Sequence, residues 1–476
     1  MRLTEGVFSI MKNISRSAAA VLALSSMLAC AYSCSKSSGS DDSSTAPTTQ
    51  VITTEPVNLG NPMEITWLAD YDLNPQSPNE ERPATLAAFE DNYGGKVKYV
   101  KTSSGEMLTK LSEMLNAGEE VDMFPYDASA VPSGVMRNQF APLDDVYDEL
   151  GMNISGLWDD MKGTIESYAY NGKHYVIPYK LSSPFMITYS RKLMQEEELA
   201  DPYELYQNDQ WNWDIFMEMM EKFTSKVPPL SRYGITGDFG QALLQSTGKN
   251  VVLYDGKKFS SNLSDPSIEK AELLMQDIAA KSLYNPKWKS SFPSNGATLF
   301  FASKDWSIAE SNANNPDMDL MVVPFPKAPD ADKYCITCDI NAKMLVANSK
   351  KAKGVATYIM CERYAAKDQK YLDAAKQKAL TAKNSILGTP EAFITEEQYD
   401  AIQSYLDTSK FTPANDFAYG MGEKMHSYGE YTYDTRGAME NLTTALLEPA
   451  EPVDTWEKLR DYVKPVIDKE IEAFNK

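Results

Sequence analysis

The chain has 476 residues, 67 acidic against 46 basic side chains, a net charge of −21 and 43% hydrophobic residues. That length holds about three domains or two large ones, and the composition excludes a chain disordered throughout. So acidic a protein repels phosphate backbones and anionic headgroups, and no concentrated Lys/Arg patch offsets this, which excludes nucleic acid as a partner. Two histidines, His174 and His426, leave little for histidine-based metal or triad chemistry.

The N-terminus sets the expected compartment. Arg2, Lys12 and Arg16 precede the apolar run Ala18 to Ala29, which is too short to span a bilayer and reads as a secretory signal. Ser26-Met27-Leu28-Ala29-Cys30 resembles the bacterial lipobox, so Cys30 is the expected lipidation site, with Cys34 as the alternative. Residues 1–29 carry Arg2, Lys12, Arg16 and Glu5, and their removal leaves a mature charge of −23. Residues 35–50 lack any aromatic or large aliphatic side chain and read as tether. The expectation is a signal peptide over 1–29, a lipidated cysteine and disordered tether over 30–61, and a folded part from about Pro62. No later stretch reaches eighteen uninterrupted apolar residues, so the lipid alone would hold the protein to the outer face of the membrane.

In chain order, residues 63–70 alternate as a strand and end in a polar loop. Leu86, Phe89 and Tyr93 then mark a helix that Gly94-Gly95 stops before a second strand, Lys96 to Lys101. Met107, Leu108, Leu111, Met114 and Leu115 share the face of a second helix, and Val121 to Phe124 reads as a third strand. This alternation predicts a parallel sheet covered on both sides, with ligands at the loops beyond the strands' carboxyl ends. Residues 171–178 read as a turn into a strand and Met186 to Tyr189 as another. Helices dominate from Tyr189 to Lys226, from Pro266 to Ser282 and through the last hundred residues, where Trp456, Leu459, Val463, Val466 and Ile467 form one stripe.

Several motifs fail on inspection. Asp70-x-Asp72-x-Asn74 with Glu81 imitates a calcium loop, but Pro75 stands where the turn needs glycine. Ser246-Thr247-Gly248-Lys249 lacks the first glycine of a phosphate loop. Cys335-x-x-Cys338 has no second ligand pair for zinc; in an exported protein it favours a short-range disulfide, or a bridge from one of the two to Cys361. No metal and no cofactor is expected.

The order of segments resembles the carbohydrate-type extracellular solute-binding proteins, the lipid-anchored receptors of ABC importers, similar in layout to maltose-binding proteins. The likeness is carried by VDMFPYDASAV, GKHYVIPYKLSSPFMITYSRKLM, Trp211-Asn212-Trp213-Asp214, YGITGDFG, GATLFFASKDW at 296–306 and MDLMVVPFPKAPDADKY. It implies an α/β fold of two lobes joined by a hinge, with the ligand in the inter-lobe cleft. Lobe one would take 62–180 plus 337–390 and lobe two 185–334 plus 395–475. The crossings would fall near Leu181-Ser182-Ser183, Ile336-Thr337 and 391–394. The implied function is capture of a saccharide by hinge closure and delivery to membrane permease subunits, by a monomer that is not an enzyme. Seven Trp and 27 Tyr favour an oligosaccharide. The alternatives are a lipid-anchored glycoside hydrolase and a surface adhesin.

Sugars offer apolar C–H faces and a rim of hydroxyls, so their receptors need aromatic plates and carboxylates or amides. Asp70 and Tyr71 follow strand one, and Tyr126 and Asp127 follow strand three. The resemblance matches Asp127 to an aspartate that accepts sugar hydroxyls, and Trp306 to a stacking aromatic. It places another stacking aromatic at Tyr431 or Tyr433, and Tyr179, Ser183 and Asp238 at the hinge or the lobe-two rim. Trp211, Trp213 and Trp456 are expected to pack in the interior.

Overall fold

The computed structural model describes residues 63–77, 80–382, 393–427 and 433–476. The signal segment, Cys30, Cys34, the tether, Tyr431 and part of the expected crossing at 391–394 lie outside these residues. Strand β1 (Met63–Ala69) leads into α1 (Ala84–Tyr93), β2 (Gly95–Lys101), α2 (Met107–Ala117), β3 (Met123–Pro125) and the short β4 (Phe140–Ala141). β1 runs parallel to both β2 and β3. Its alternate side chains enter different cores: Ile65, Trp67 and Ala69 join one, and Leu68 joins the other. Both faces of the sheet are thus covered, as parallel pairing requires.

Residues 171–178 form no strand beyond a single bridge between Tyr170 and Lys173. The extended chain resumes at β5 (Lys180–Ser182) and β6 (Phe185–Ser190). After them come α3 (Trp213–Ser225), β7 (Tyr233–Gly237), the hairpin β8 (Val252–Tyr254) and β9 (Phe259–Ser261), α4 (Pro266–Ala280), β10 (Tyr284–Asn285), β11 (Thr298–Lys304), α5 (Ile308–Asn314) and β12 (Leu320–Pro324). Asp265 caps α4 by accepting from Ser267 N, with Pro266 at the first helical position. A second five-stranded sheet has the order β10-β7-β11-β6-β12, in which β7, β10 and β11 are parallel and β6 is antiparallel.

The chain continues through β13 (Tyr334–Ile336), β14 (Asp339–Asn341), β15 (Lys343–Val346), α6 (Ala352–Lys367), α7 (Glu396–Ser404), β16 (Phe411–Pro413) and α8 (Trp456–Phe474). β15 inserts between β3 and β4, antiparallel to both, so the first sheet is mixed rather than wholly parallel. The chain therefore passes between the sheets twice in one place, through β5 and through β14, and these two strands pair antiparallel. Phe185 N donates to Thr337 O (2.8 Å) just beyond that pair. Trp456, Leu459, Val463 and Ile467 of α8 are buried, as are Trp211 and Trp213. Cys335, Cys338 and Cys361 are free thiols, which corrects the expected disulfide. Cys335 lies on β13, Cys338 between β13 and β14, and Cys361 is buried within α6.

Candidate ligand cleft

Parallel pairing puts the carboxyl ends of β1, β2 and β3 on one edge of the first sheet. Thr102 N donates to Ala69 O (3.0 Å) there, holding the loops after β1 and β2 side by side. Asp70 is exposed at this rim. Asp127, also exposed, opens the turn Ala128–Ala130, and its Oδ1 accepts from both the backbone N (2.8 Å) and the hydroxyl of Ser129. The turn-capping role thus occupies one oxygen of this carboxylate. Between that turn and the start of α2 lies a recess of about 150 Å³, lined by Ser104, Met107, Leu108, Phe124, Asp127 and Ser129 among others. Tyr126 is half-buried and meets Tyr168 edge-on, with ring centroids 5.6 Å apart.

Tyr71 and Tyr179 turn inward from the same edge. Tyr71 packs edge-on against Trp67 (5.4 Å), whose indole N–H donates to Tyr71 O (2.9 Å). Tyr179 accepts from the Lys343 ammonium (2.9 Å), which also pairs with Glu362 (2.6 Å) and lies over the rings of Trp67, Tyr179 and Tyr358. Burial pushes the Tyr71 and Tyr179 phenols up, so both stay protonated donors. Burial alone would lower the Lys343 pKa, but the charge of Glu362, the neighbouring Tyr71 and the Glu362 hydrogen bond outweigh it, and Lys343 stays charged. No local pattern in the sequence joins Lys343 to these tyrosines; the contact exists because β15 inserts beside β3.

The second sheet presents its own row of strand ends. β7 ends at Gly237, whose φ of 105° and closeness to Ala302 O, 2.1 Å from where a Cβ would stand, exclude any side chain. Asp238 follows with its side chain exposed; neighbouring protein groups that displace part of its water raise its carboxyl, while Arg436 pulls it back. β11 ends in Lys304, Asp305 and Trp306. Trp306 is 40% exposed, and Lys304 pairs with Asp339 on β14. Burial raises the Asp305 carboxyl, opposed first by a hydrogen bond from Ser183. Ser183 holds a left-handed φ of 47° between β5 and β6. Tyr433 is half-buried, packed edge-on against Tyr462 (5.6 Å).

Asp70, Asp127, Asp238 and Trp306 therefore lie exposed at strand ends of the two sheets, whereas Tyr71, Tyr126, Tyr179 and Tyr433 are largely packed and Ser183 sits at the crossing. One residue at these ends was not anticipated. Trp288, 71% exposed, stands three positions beyond β10. Its Pro, Lys and Ser neighbours carry no periodicity; its only signal was a tryptophan in a polar loop.

Residues 84–381 match the family model of the bacterial extracellular solute-binding proteins. The diacetylchitobiose-binding protein DasA of Streptomyces coelicolor is 23% identical over 276 residues, 55% of this chain and 60% of DasA, so the match spans less than two thirds of that relative. Among solved structures, the GacH receptor of Streptomyces glaucescens, seen unliganded and with acarbose, aligns with a TM-score of 0.51 at 14% identity, over 86% of this chain and 99% of that one. The lacto-N-biose-binding protein of Bifidobacterium longum aligns at 0.57 and 12%, over 87% and 98%. UgpB of Mycobacterium tuberculosis, in complex with glycerophosphocholine, aligns at 0.56 and 15%, over 87% and 100%. At such identities these likenesses speak for the fold, two α/β lobes about a hinge. With its two sheets, the paired crossings and the family match over most of its length, the chain belongs to the bacterial extracellular solute-binding proteins.

Proposed function

We propose that this protein is the carbohydrate receptor of an ABC importer, anchored outside the cell through a lipid on Cys30, with no catalytic step of its own. The observation that carries the reading is the exposure of Trp306, with Asp238 beside it and Asp70 and Asp127 on the other sheet, at strand ends joined by the β5–β14 crossing. An aromatic plate with carboxylates around it suits the faces and hydroxyls of a sugar. The lobes divide at 62–180 plus 337–390 and 185–334 plus 395–475. A ligand touching both rims only when they approach shifts the open and closed populations, and the monomeric closed form is what the permease subunits receive.

A thermal-shift screen of the mature protein against mono- and oligosaccharides, with peptides and glycerophosphodiesters as controls, tests this. A ligand bound only by the native state raises the melting temperature. Stabilisation by a saccharide that is recovered intact is the expected result. Release of product would favour a lipid-anchored glycoside hydrolase, and stabilisation by the controls alone would overturn the sugar assignment. The lipid is tested separately by Cys30→Ala, which should release the protein from the membrane fraction.

A further inference from the structure

Five of the seven tryptophans, Trp67, Trp158, Trp211, Trp213 and Trp456, are buried, and the two exposed ones, Trp288 and Trp306, stand at the same end of the second sheet. β10 and β11 flank β7 in that sheet, so the strands from which the two indoles emerge are roughly 10 Å apart, two inter-strand spacings. Asp238 emerges from the strand between them. A single sugar ring does not bridge that distance, whereas a chain of linked rings does.

The Trp288 loop is held at both ends. On one side Thr236 Oγ1 donates to Asn285 O (3.0 Å), and Asn285 Oδ1 accepts from Lys287 N (3.1 Å). On the other, Ser290 Oγ donates to Glu310 Oε1 (3.1 Å), Phe292 N donates to Ser311 Oγ (2.9 Å), and Asn315 Nδ2 donates to Phe292 O (2.9 Å). Glu310 and Ser311 belong to α5, the helix that begins just past Trp306. The loop is thus tied both to the strand before Asp238 and to the helix after Trp306, with 71% of Trp288 left in solvent at its tip. A plate fixed in advance loses little freedom when a ligand lands on it.

Resting on the saccharide reading above, we propose that Trp288 is an outer stacking plate, a subsite for the distal ring of an oligosaccharide whose inner ring lies on Trp306. Lys287 and Lys289 flank it and supply N–H donors for hydroxyls of that distal ring. Trp288 thereby sets the ligand length at which affinity rises.

Calorimetry with malto-, cello- and N-acetylchito-oligosaccharides of one to five units, on wild type and Trp288→Ala, tests the proposal. Wild type should gain about tenfold in affinity at the length that reaches Trp288. Trp288→Ala should lose that step and keep its affinity for shorter ligands within about twofold. Acrylamide quenching should show Trp288 protected by the long ligands only. A variant that keeps the wild-type length dependence would overturn the outer plate while leaving the receptor reading intact. Failure of wild type to bind any saccharide in the series would overturn both.

Discussion

Trp306 leaves 40% of its surface in water at the end of a strand whose residues from Thr298 to Ser303 are all buried. Its substitution should cost folding less than loss of a fully buried tryptophan, so binding has to be measured well below the variant's own melting temperature. Trp306→Ala should weaken saccharide binding by about 1–3 kcal/mol, by analogy with aromatic stacking on nucleobases. The ligand-free melting temperature should fall by less than for truncation of a fully buried tryptophan such as Trp211. Unchanged affinity by calorimetry would remove Trp306 from the site. Glu272 presents the opposite case: fully buried in α4, neither carboxylate oxygen has a hydrogen-bond partner among the described residues. Burial raises its pKa well above the ordinary 4.5. The folded state therefore holds a proton that the unfolded chain releases. This contribution is intact below the unfolded pKa and is lost as pH rises from there through the folded pKa. Glu272→Gln removes the titration, so its melting temperature should gain on wild type progressively between pH 4.5 and 8. Parallel curves over that range would refute the argument.

At the scale of elements, the segment just before the first crossing is tied down from one helix. α6 contributes Glu362, which pairs with Lys343, and Arg363, which donates to Tyr179 O (2.9 Å) and to Leu157 O (2.8 Å). Lys343 in turn donates to the Tyr179 hydroxyl, so both ends of this tyrosine are held. Lys343→Met leaves the largely buried Glu362 without its counter-charge, with only the Thr85 hydroxyl (3.0 Å) still donating to it, and should cost about 3–5 kcal/mol in urea denaturation. Adding Glu362→Met should restore most of the loss, and a double variant as unstable as the single would refute the pairing. The alternation of β1, α1, β2 and α2 was readable because each segment buries its own periodic face and each helix stops at Gly94 or Gly118. β15 was not readable as a partner of β3, since its pairing depends on chain distant in sequence. Residues 171–178 carry strand-like side chains, yet Val176 and Ile177 are buried by packing without a neighbouring strand to pair them. Among the proposed ligand contacts, Asp70 and Asp127 are legible from their places after strands, whereas Asp238 and Trp306 follow only from the resemblance; all four stand exposed at strand ends. The inward turn of Tyr71 and Tyr179 was hidden, because the cation they pack around lies on β15.

For the molecule as a whole, neither histidine is spent on the rims. His174 contacts Asp144 (3.0 Å) and Tyr147, and His426 pairs with Glu440. Saccharide affinity should thus be flat between pH 7 and 8. On acidification it should fall at a higher pH than ordinary aspartates imply, because partial loss of hydration raises both the exposed Asp238 and the half-buried Asp305 above their usual 3.8. Asp238→Asn should move the acid limb downward in calorimetric titrations, and an unmoved limb would take Asp238 out of the ligand's reach.

The clamp on Tyr179 has a thermodynamic consequence. Immediately after it come only Lys180–Ser182, paired with Asp339–Asn341, and then Ser183 and Pro184 before the chain enters the second sheet. If bending is confined to these few backbone torsions, closing the cleft freezes very little chain entropy, about 1–2 kcal/mol for each residue that stiffens. The hinge itself then subtracts little from the affinity, and the main costs left are the ligand's own lost freedom and the desolvation of polar groups.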